Sequence, residues 1–411
     1  MKIYDIIAKQ VNRSLNSFKI NNNLLKYLEE PNKIVQVNIP TKINDEFKLI
    51  PGYRVQHNNL LGEYKGGLRF NQHVNLDECK ALSGWMTYKN ALYNLPLGGG
   101  KGGICINPYE LNEDELEDLS RSFIKLIHNN IGEDKDIPAP DVGTNSKVIN
   151  WMDDELFKLS GKKNNFTGKS VENRGCNGRT EATGYGVIQT LKFWSEKNNY
   201  DLSNSTYILQ GFGNVGSYSA KYLNDLGAKL IAVGDHTCYI KNENGINVTE
   251  LIEYNKQNRC IKGFSDNEIS MDDFWKVKCN IVIPAALELQ ITEDIARYLD
   301  CDVVLEAANG PLFLEADEIF ESRNIDVLPD ILSNSGGVIV SNYEYIQNKN
   351  IENEDDYASK EEILNRLSKQ MKETFDIVYD HVQTKNITYK DACYGTALMN
   401  LEKKFKSKYN L

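Results

Sequence analysis

Two periodicities divide this chain of 411 residues. Between residues 206 and 330, short apolar runs alternate with stretches in which apolar side chains return every three or four positions. The runs Thr206 to Gln210, Lys229 to Val233, Asn280 to Ile283, Asp302 to Leu305 and Ile325 to Val327 read as strands, and the stretches between them as helices. Strand and helix in regular alternation predict a doubly wound parallel sheet. Upstream the pattern is less regular. Residues 1 to about 182 mix short helices with strand-like runs such as Ile34 to Val37, and 51–105, dense in glycine and lysine, reads as a loop-rich segment that binds something. Glu181 to Gly186 marks a break, after which a helix runs from Val187 to about Glu196. Gln347 to Asp356 reads as an acidic surface loop. Past it, Ile363, Leu364, Leu367, Met371, Phe375, Val378, Tyr379 and Val382 recur at helical spacing, as expected of a long helix that packs back on a domain.

Length and a hydrophobic content of 41% suit two domains rather than one core. The net charge of −11 and the lack of a Lys/Arg tract argue against nucleic acid as a partner. No segment approaches the ~18 consecutive apolar residues of a membrane span, and the opening residues read as an amphipathic helix rather than a signal peptide, so a cytoplasmic protein is expected. Eight cysteines and five histidines are scattered without paired metal-ligand spacing; no metal is expected.

The most informative chemistry follows the run ending at Gln210. Gly211, Gly213 and Gly216, with Asn214 and Val215 between, form a GxGxxG turn between a strand and a helical stripe that ends at Gly227. A second strand then ends at Asp235, about 20 residues further on, where dinucleotide-binding folds place a carboxylate on the adenosine ribose. Glycine lets backbone approach a pyrophosphate, and the helix N-terminus supplies N–H donors and a positive dipole end. A carboxylate at Asp235 repels a 2′-phosphate and favours NAD. Lys262 or His236 could compensate for that phosphate, which leaves NADP open.

Three lysines in the first half sit among glycines or small residues: Lys65 in YKGGLRF, Lys89 in WMTYKNAL and Lys101 in LPLGGGKGGI. The last is not a phosphate loop, since neither GxxxxGK nor a following Ser/Thr is present. An amine enclosed by backbone is desolvated, which favours its neutral form and lets it serve as a base. Asp141 lies in PAPDVGT, where two prolines restrict the loop; it could equally be a turn residue capping the next helix.

In order and spacing, YKGGLRF, LPLGGGKGG, IPAPDVGT, NGRTEATGYG, QGFGNVG, EAANGP and PDILSNSGGVIVS make the chain resemble the glutamate dehydrogenase branch of the amino-acid dehydrogenases, in particular its short hexameric members. The resemblance implies an α/β protein of two domains. A substrate-binding and oligomerisation domain would cover 1–182 and be completed by C-terminal helices in 340–411, with a Rossmann-type NAD(P)-binding domain at 183–339. It further implies reversible oxidative deamination of L-glutamate to 2-oxoglutarate and ammonia by a homo-hexamer. By the same resemblance, Lys101 activates water, Asp141 transfers protons, Lys89 holds the α-carboxylate, and Lys65 with Ser341 recognises the side-chain carboxylate. Asn334 would lie by the substrate, and Thr183 and Asn309 by the nicotinamide. Glu63, Arg174 and Cys176 depart from the family pattern beside these motifs. Rival readings are a branched-chain or aromatic amino-acid dehydrogenase, which would carry an apolar residue at position 65, and a catalytically silent oligomer that binds glutamate or nucleotide.

Overall fold

The computed structural model describes residues 3–162, 165–351 and 357–410, so residues 352–356, the end of the expected acidic loop, lie outside the described residues. The chain divides into two compact units. Met1–Arg179, Val338–Ile363 and Tyr394–Leu411 form the first, and Thr180–Gly337 with Leu364–Cys393 the second.

The first unit opens with helices α1 (Ile3–Ser14) and α2 (Asn22–Leu28), followed by strands β1 (Lys33–Ile43), β2 (Glu46–Asn58) and β3 (Tyr64–Phe70). Helix α3 (Leu76–Leu92), strand β4 (Gly99–Ile104), helix α4 (Glu113–Ile127), strand β5 (Asp136–Pro140) and helix α5 (Ser146–Ser160) complete it. The sheet order is β1-β2-β4-β3-β5. Asn44 and Asp45, both at positive φ, make the two-residue turn that joins the antiparallel pair β1 and β2. Ile39, Leu68, Phe70, Ile104, Phe123, Ile149 and Phe166 belong to a core formed where α4 and α5 cover the sheet.

The stretch 51–105 is not loop-rich. Its glycine runs are the central strands β3 and β4, buried and paired in parallel. Glycine is used there because neighbouring backbone passes too close for a side chain: a Cβ at Gly66 would lie 1.7 Å from the Gly100 carbonyl oxygen, one at Gly99 2.1 Å from Thr87 Oγ1, and one at Gly103 2.3 Å from the Arg69 carbonyl oxygen.

The second unit holds α6 (Ala182–Asn198), β6 (Thr206–Gln210), α7 (Asn214–Asp225), β7 (Lys229–Gly234), β8 (Tyr239–Lys241), α8 (Val248–Asn258) and β9 (Glu268–Ile269). It continues with α9 (Met271–Trp275), β10 (Ile281–Pro284), α10 (Glu293–Tyr298), β11 (Val303–Leu305), α11 (Leu314–Ser322), β12 (Asp326–Leu328) and α12 (Asp330–Ser333). The sheet runs β12-β11-β10-β6-β7-β8-β9, parallel as far as β7 with an antiparallel edge of β8 and β9. Chain order reverses between β6 and β10, which makes that crevice the topological switch point of the doubly wound fold.

Helix α6 begins at Ala182, five residues before the expected start, so the presumed break at 181–186 lies largely inside it. Gly184 and Gly186 are contact positions. A Cβ at Gly184 would sit 2.6 Å from Tyr218 Cβ on α7, and one at Gly186 2.9 Å from Met371 Sδ and 3.2 Å from Gly336 Cα.

The chain ends in α13 (Gly336–Asn350), α14 (Lys360–Lys385) and α15 (Tyr389–Tyr409). Residues 347–350 are thus helical rather than loop, and Leu364–Cys393 packs with the second unit instead of completing the first, as the division at 340–411 had expected. Among the described residues no helix is long and apolar enough to cross a membrane.

Candidate active site

Alternation along β3 puts Lys65, Gly67 and Arg69 on one face. That face meets Asp141, the residue that follows β5. The Asp141 carboxylate accepts from Lys101 Nζ of β4 at 2.5 Å through Oδ2 and from Arg69 Nε at 2.9 Å through Oδ1. Arg69 turns its other arm to Glu78 in the first turn of α3, at 2.5 Å. Gly67 makes the space: a Cβ there would lie 2.7 Å from Asp141 Cβ and 2.9 Å from its Oδ2. The Asp141 backbone N–H is held by Thr144 Oγ1 at 2.8 Å. The following helix is capped by Asn145, so Asp141 is not a cap and its carboxylate is turned to the cations. Burial alone would raise the Asp141 carboxyl, but Lys101 and Arg69 hold it well below the usual carboxylate range. At 18% exposure it still has access from outside.

Lys65 is 1% exposed, and its ammonium has no hydrogen-bond partner among the described residues. Burial pushes its pKa down to about 7, helped by the charges of Arg179 and Arg54 and opposed by Glu344 and Asp136. Arg54 is neutralised by Asp136 in a fully buried pair, whereas the Arg179 Nε lacks a partner. Burial also lowers the Arg179 guanidinium from its ordinary value.

Ser341, on α13, is brought to the same strands. Its hydroxyl lies 2.5 Å from Thr167 Oγ1, and the Thr167 N–H donates to the Pro138 carbonyl of β5, which pairs with Gly66 beside Lys65. One turn later on α13, Glu344 accepts the N–H groups of Gly168 and Lys169. Lys89 is buried in the last turn of α3, the helix that lies against β4. Lys65, Lys89, Lys101, Asp141 and Ser341 therefore all belong to the first unit.

In the second unit the three glycines of the turn after β6 do three different things. Gly211 takes φ +94, and a Cβ on it would strike Ala285 of the chain leaving β10 at 2.6 Å. Gly216 packs helix to strand, since its Cβ would be 1.9 Å from the Gly211 carbonyl oxygen. At Gly213 a Cβ would meet nothing within 4 Å, and φ is an ordinary −80. No protein group requires glycine there; open space beside the first N–H groups of α7, which no side chain caps, fits the pyrophosphate of a dinucleotide. Val215 is half-buried at the helix start, and Asn214 is exposed with its amide donating to the Thr180 carbonyl at 2.9 Å.

Asp235 directly follows β7, one residue past the strand, and is largely occupied by its own loop. Oδ1 accepts from the Thr237 N–H and hydroxyl and the Cys238 N–H, and Oδ2 from the Ile261 N–H at 2.8 Å. Burial opposes its ionisation, and these donors outweigh burial and lower its pKa. Asn309, in the loop after β11, and Asn334, after α12, meet directly: Asn334 Nδ2 donates to Asn309 Oδ1 and to the Ala307 carbonyl, each at 3.2 Å. Thr183 is half-buried in the first turn of α6. Asn309 and Asn334 stand with Gly211 at the C-terminal edge of the parallel strands, where open α/β sheets bind ligands.

Two sequence profiles cover this architecture. Residues 31–158 match the one described as the Glu/Leu/Phe/Val dehydrogenase dimerisation domain, and 175–408 the one for glutamate/leucine/phenylalanine/valine dehydrogenase. The chain belongs to the glutamate/leucine/phenylalanine/valine dehydrogenase family. An NAD-specific glutamate dehydrogenase of Clostridioides difficile is 38% identical over 417 residues, covering 99% of this chain and 98% of the relative. One of Peptoniphilus asaccharolyticus is 39% identical over 91% of this chain and 90% of its own. Among solved structures, the hetero-hexameric glutamate dehydrogenase of Thermus thermophilus in its leucine-bound form superposes with a TM-score of 0.94 at 28% identity, covering 99% of this chain and 97% of the other. The glutamate dehydrogenase of P. asaccharolyticus gives 0.85 at 34% identity, with both chains fully covered.

The three departures from the family pattern have local roles. The Glu63 backbone forms a bridge to Leu97, and its carbonyl accepts the Gly98 N–H at 2.7 Å, so neither contact uses the side chain. Arg174, at φ +68, donates to the Tyr357 hydroxyl and the Ile351 carbonyl. Cys176 is buried. Sequence reasoning passed over Arg69, Glu78 and Arg179. The first and last lie inside YKGGLRF and NGRTEATGYG, and reading YKGGLRF as a strand would have put Arg69 on the face of Lys65.

Proposed function

We propose that this chain catalyses the reversible NAD-dependent oxidative deamination of L-glutamate to 2-oxoglutarate and ammonia. The observation that carries the substrate assignment is Lys65, a buried cation with no hydrogen-bond partner among the described residues, near Arg179, whose Nε also lacks one. A carboxylate entering there supplies the missing counter-charge, whereas an apolar amino-acid side chain would leave the ammonium desolvated and unpaired. Ser341 adds a hydroxyl to that end, and Lys89 holds the α-carboxylate at the other.

Bound NAD supplies the hydride acceptor, held by the Gly211–Gly216 turn and the N-terminus of α7, with Thr183, Asn309 and Asn334 toward the nicotinamide and substrate. Asp235, just past β7, is placed for the adenosine ribose, and its charge disfavours a 2′-phosphate. Asp141 takes a proton from the amino group as hydride leaves the α-carbon. Lys101 then activates the water that adds to the resulting iminium, and the 2.5 Å contact between the two lets protons pass from one to the other. Arg69 orients the Asp141 carboxylate for both steps.

The description of its N-terminal domain and the hexameric assembly named for the Thermus thermophilus relative support an oligomer, and we read it as a homo-hexamer. Eight free cysteines suit a reducing, cytoplasmic setting. Steady-state assays with glutamate, leucine and valine against NAD and NADP test the whole reading: glutamate with NAD should give the highest kcat/KM by at least tenfold, and a preference for leucine or valine would refute the role given to Lys65.

A further inference from the structure

Four ionisable side chains with no part in the reaction above are buried together behind the loop that carries Asn309. They are Glu306, just after β11, Asp317 on α11, Asp330 at the start of α12 and Lys390 in the first turn of α15. Lys390 Nζ donates to Glu306 Oε1 at 2.9 Å and to both Asp317 oxygens at 2.8 Å. The other Glu306 oxygen accepts the Asp330 N–H at 2.9 Å, and Asp330 Oδ2 accepts the Gly310 N–H at 2.9 Å. A chain of charge-assisted hydrogen bonds thus runs from Lys390 through Glu306 and Asp330 to Gly310. It fixes the loop on both sides of Asn309, whose side chain also meets Asn334.

Stability does not account for the arrangement. One ammonium among three carboxylates is costly to bury, and an apolar cluster of equal volume would serve the core as well or better. Burial accordingly pushes the Glu306 carboxyl above its ordinary value, against the attraction of Lys390. What the ions supply and an apolar cluster would not is direction: the bonds end on defined backbone atoms at either side of Asn309.

We propose that Lys390 is a positioning residue for the dinucleotide, setting the 306–310 loop, and with it Asn309, through Glu306 and Asp330. The proposal rests on the dinucleotide reading of that loop. It predicts that breaking the network weakens NADH binding while the substrate end, held by Lys65 and Ser341 in the first unit, is spared.

The test uses the full-length protein, with NADH dissociation measured by fluorescence, KM for 2-oxoglutarate, and thermal melting. Lys390→Met alone strands three buried carboxylates and can fail to fold. It is therefore paired with Asp317→Leu, and Glu306→Gln serves as an independent cut, since a glutamine of the same shape cannot accept from both Lys390 and the Asp330 N–H. Each should raise the NADH Kd by roughly fivefold or more, the factor one lost hydrogen bond carries. KM for 2-oxoglutarate should change less than twofold, and Lys390→Arg should retain the parent value. A folded Glu306→Gln or double variant with an NADH Kd within twofold of the parent overturns the proposal. Asn309→Ala separates the two levels: if it weakens NADH binding while the network variants do not, only the positioning role falls. If it has no effect, the reading of the loop falls, and the proposal with it.

Discussion

Replacing Lys65 with methionine should produce a more stable protein that has lost its substrate. Met is close in volume and unbranched, so the buried slot stays filled while the charge goes. A fall in pKa from 10.5 to about 7 corresponds to a cost of about 5 kcal/mol for keeping this lysine charged in the fold, at about 1.4 kcal/mol per unit. Between those two values the unfolded chain binds more protons than the folded one, so stability rises with pH across the window. The cost is complete below pH 7 and gone above 10.5. Part of the gain is lost to imperfect packing, which leaves Lys65→Met roughly 2 to 4 kcal/mol more stable than the parent at pH 6.5. That advantage should shrink by about 2 kcal/mol at pH 8.5. Urea unfolding of parent and variant side by side at both pH values isolates Lys65, because every other titration is common to the pair. Glutamate kcat/KM should fall tenfold or more in the variant, since a charge-assisted contact of ~1.5 to 3 kcal/mol is lost. In the parent, KM for glutamate should climb as pH rises above 7 and the free lysine loses its proton. A variant no more stable than the parent at pH 6.5, or an advantage independent of pH, would refute the argument that an unpaired cation waits there for an anion.

Gly213→Ala should fold and melt like the parent, because φ is ordinary and the new methyl group meets no protein atom, yet weaken NAD binding several-fold by intruding where the pyrophosphate approaches; isothermal titration with NADH checks it, and unchanged affinity would move the cofactor elsewhere. Lys101→Ala and Asp141→Asn should each reduce kcat by roughly 10² to 10⁴ with NADH binding preserved, as expected when a proton-transfer group is lost. Retention of activity within a few-fold in either variant would remove that residue from the mechanism.

The parallel strands of the second unit were legible to within about a residue, because strands covered on both faces are nearly continuous apolar runs closed by glycine or proline. The turn at 211–216 and its acid were equally plain. Beta strands β3 and β4 were not, since glycine carries no hydrophobic signal and normally marks turns; only the closeness of Gly100 to Gly66 explains why these strands have so few side chains. The same gap hid Arg69. The start of α6 was misplaced for a related reason: Gly184 and Gly186 look like breakers until the partners they admit, Tyr218 and Met371, are seen. That Asp235 would spend most of its lone pairs on residues 237, 238 and 261 depends on a loop closure that no local pattern encodes.

Lys65 and Lys101, the substrate and proton-transfer lysines of the proposed function, both sit on glycine strands, and this has an evolutionary consequence. Most active sites vary through loops that tolerate replacement, but here the backbone around Lys65 and Lys101 excludes any side chain at Gly66, Gly67, Gly99, Gly102 and Gly103, where a Cβ would lie within 2.7 Å of its nearest neighbour. On the proposed function, new substrate preferences on this scaffold are therefore confined to a few addresses: position 65 itself, and groups outside the sheet such as Arg179, whose charge acts on it. Selection can change what the far end of the pocket attracts while the reacting end is kept in place by residues that have no side chain to vary.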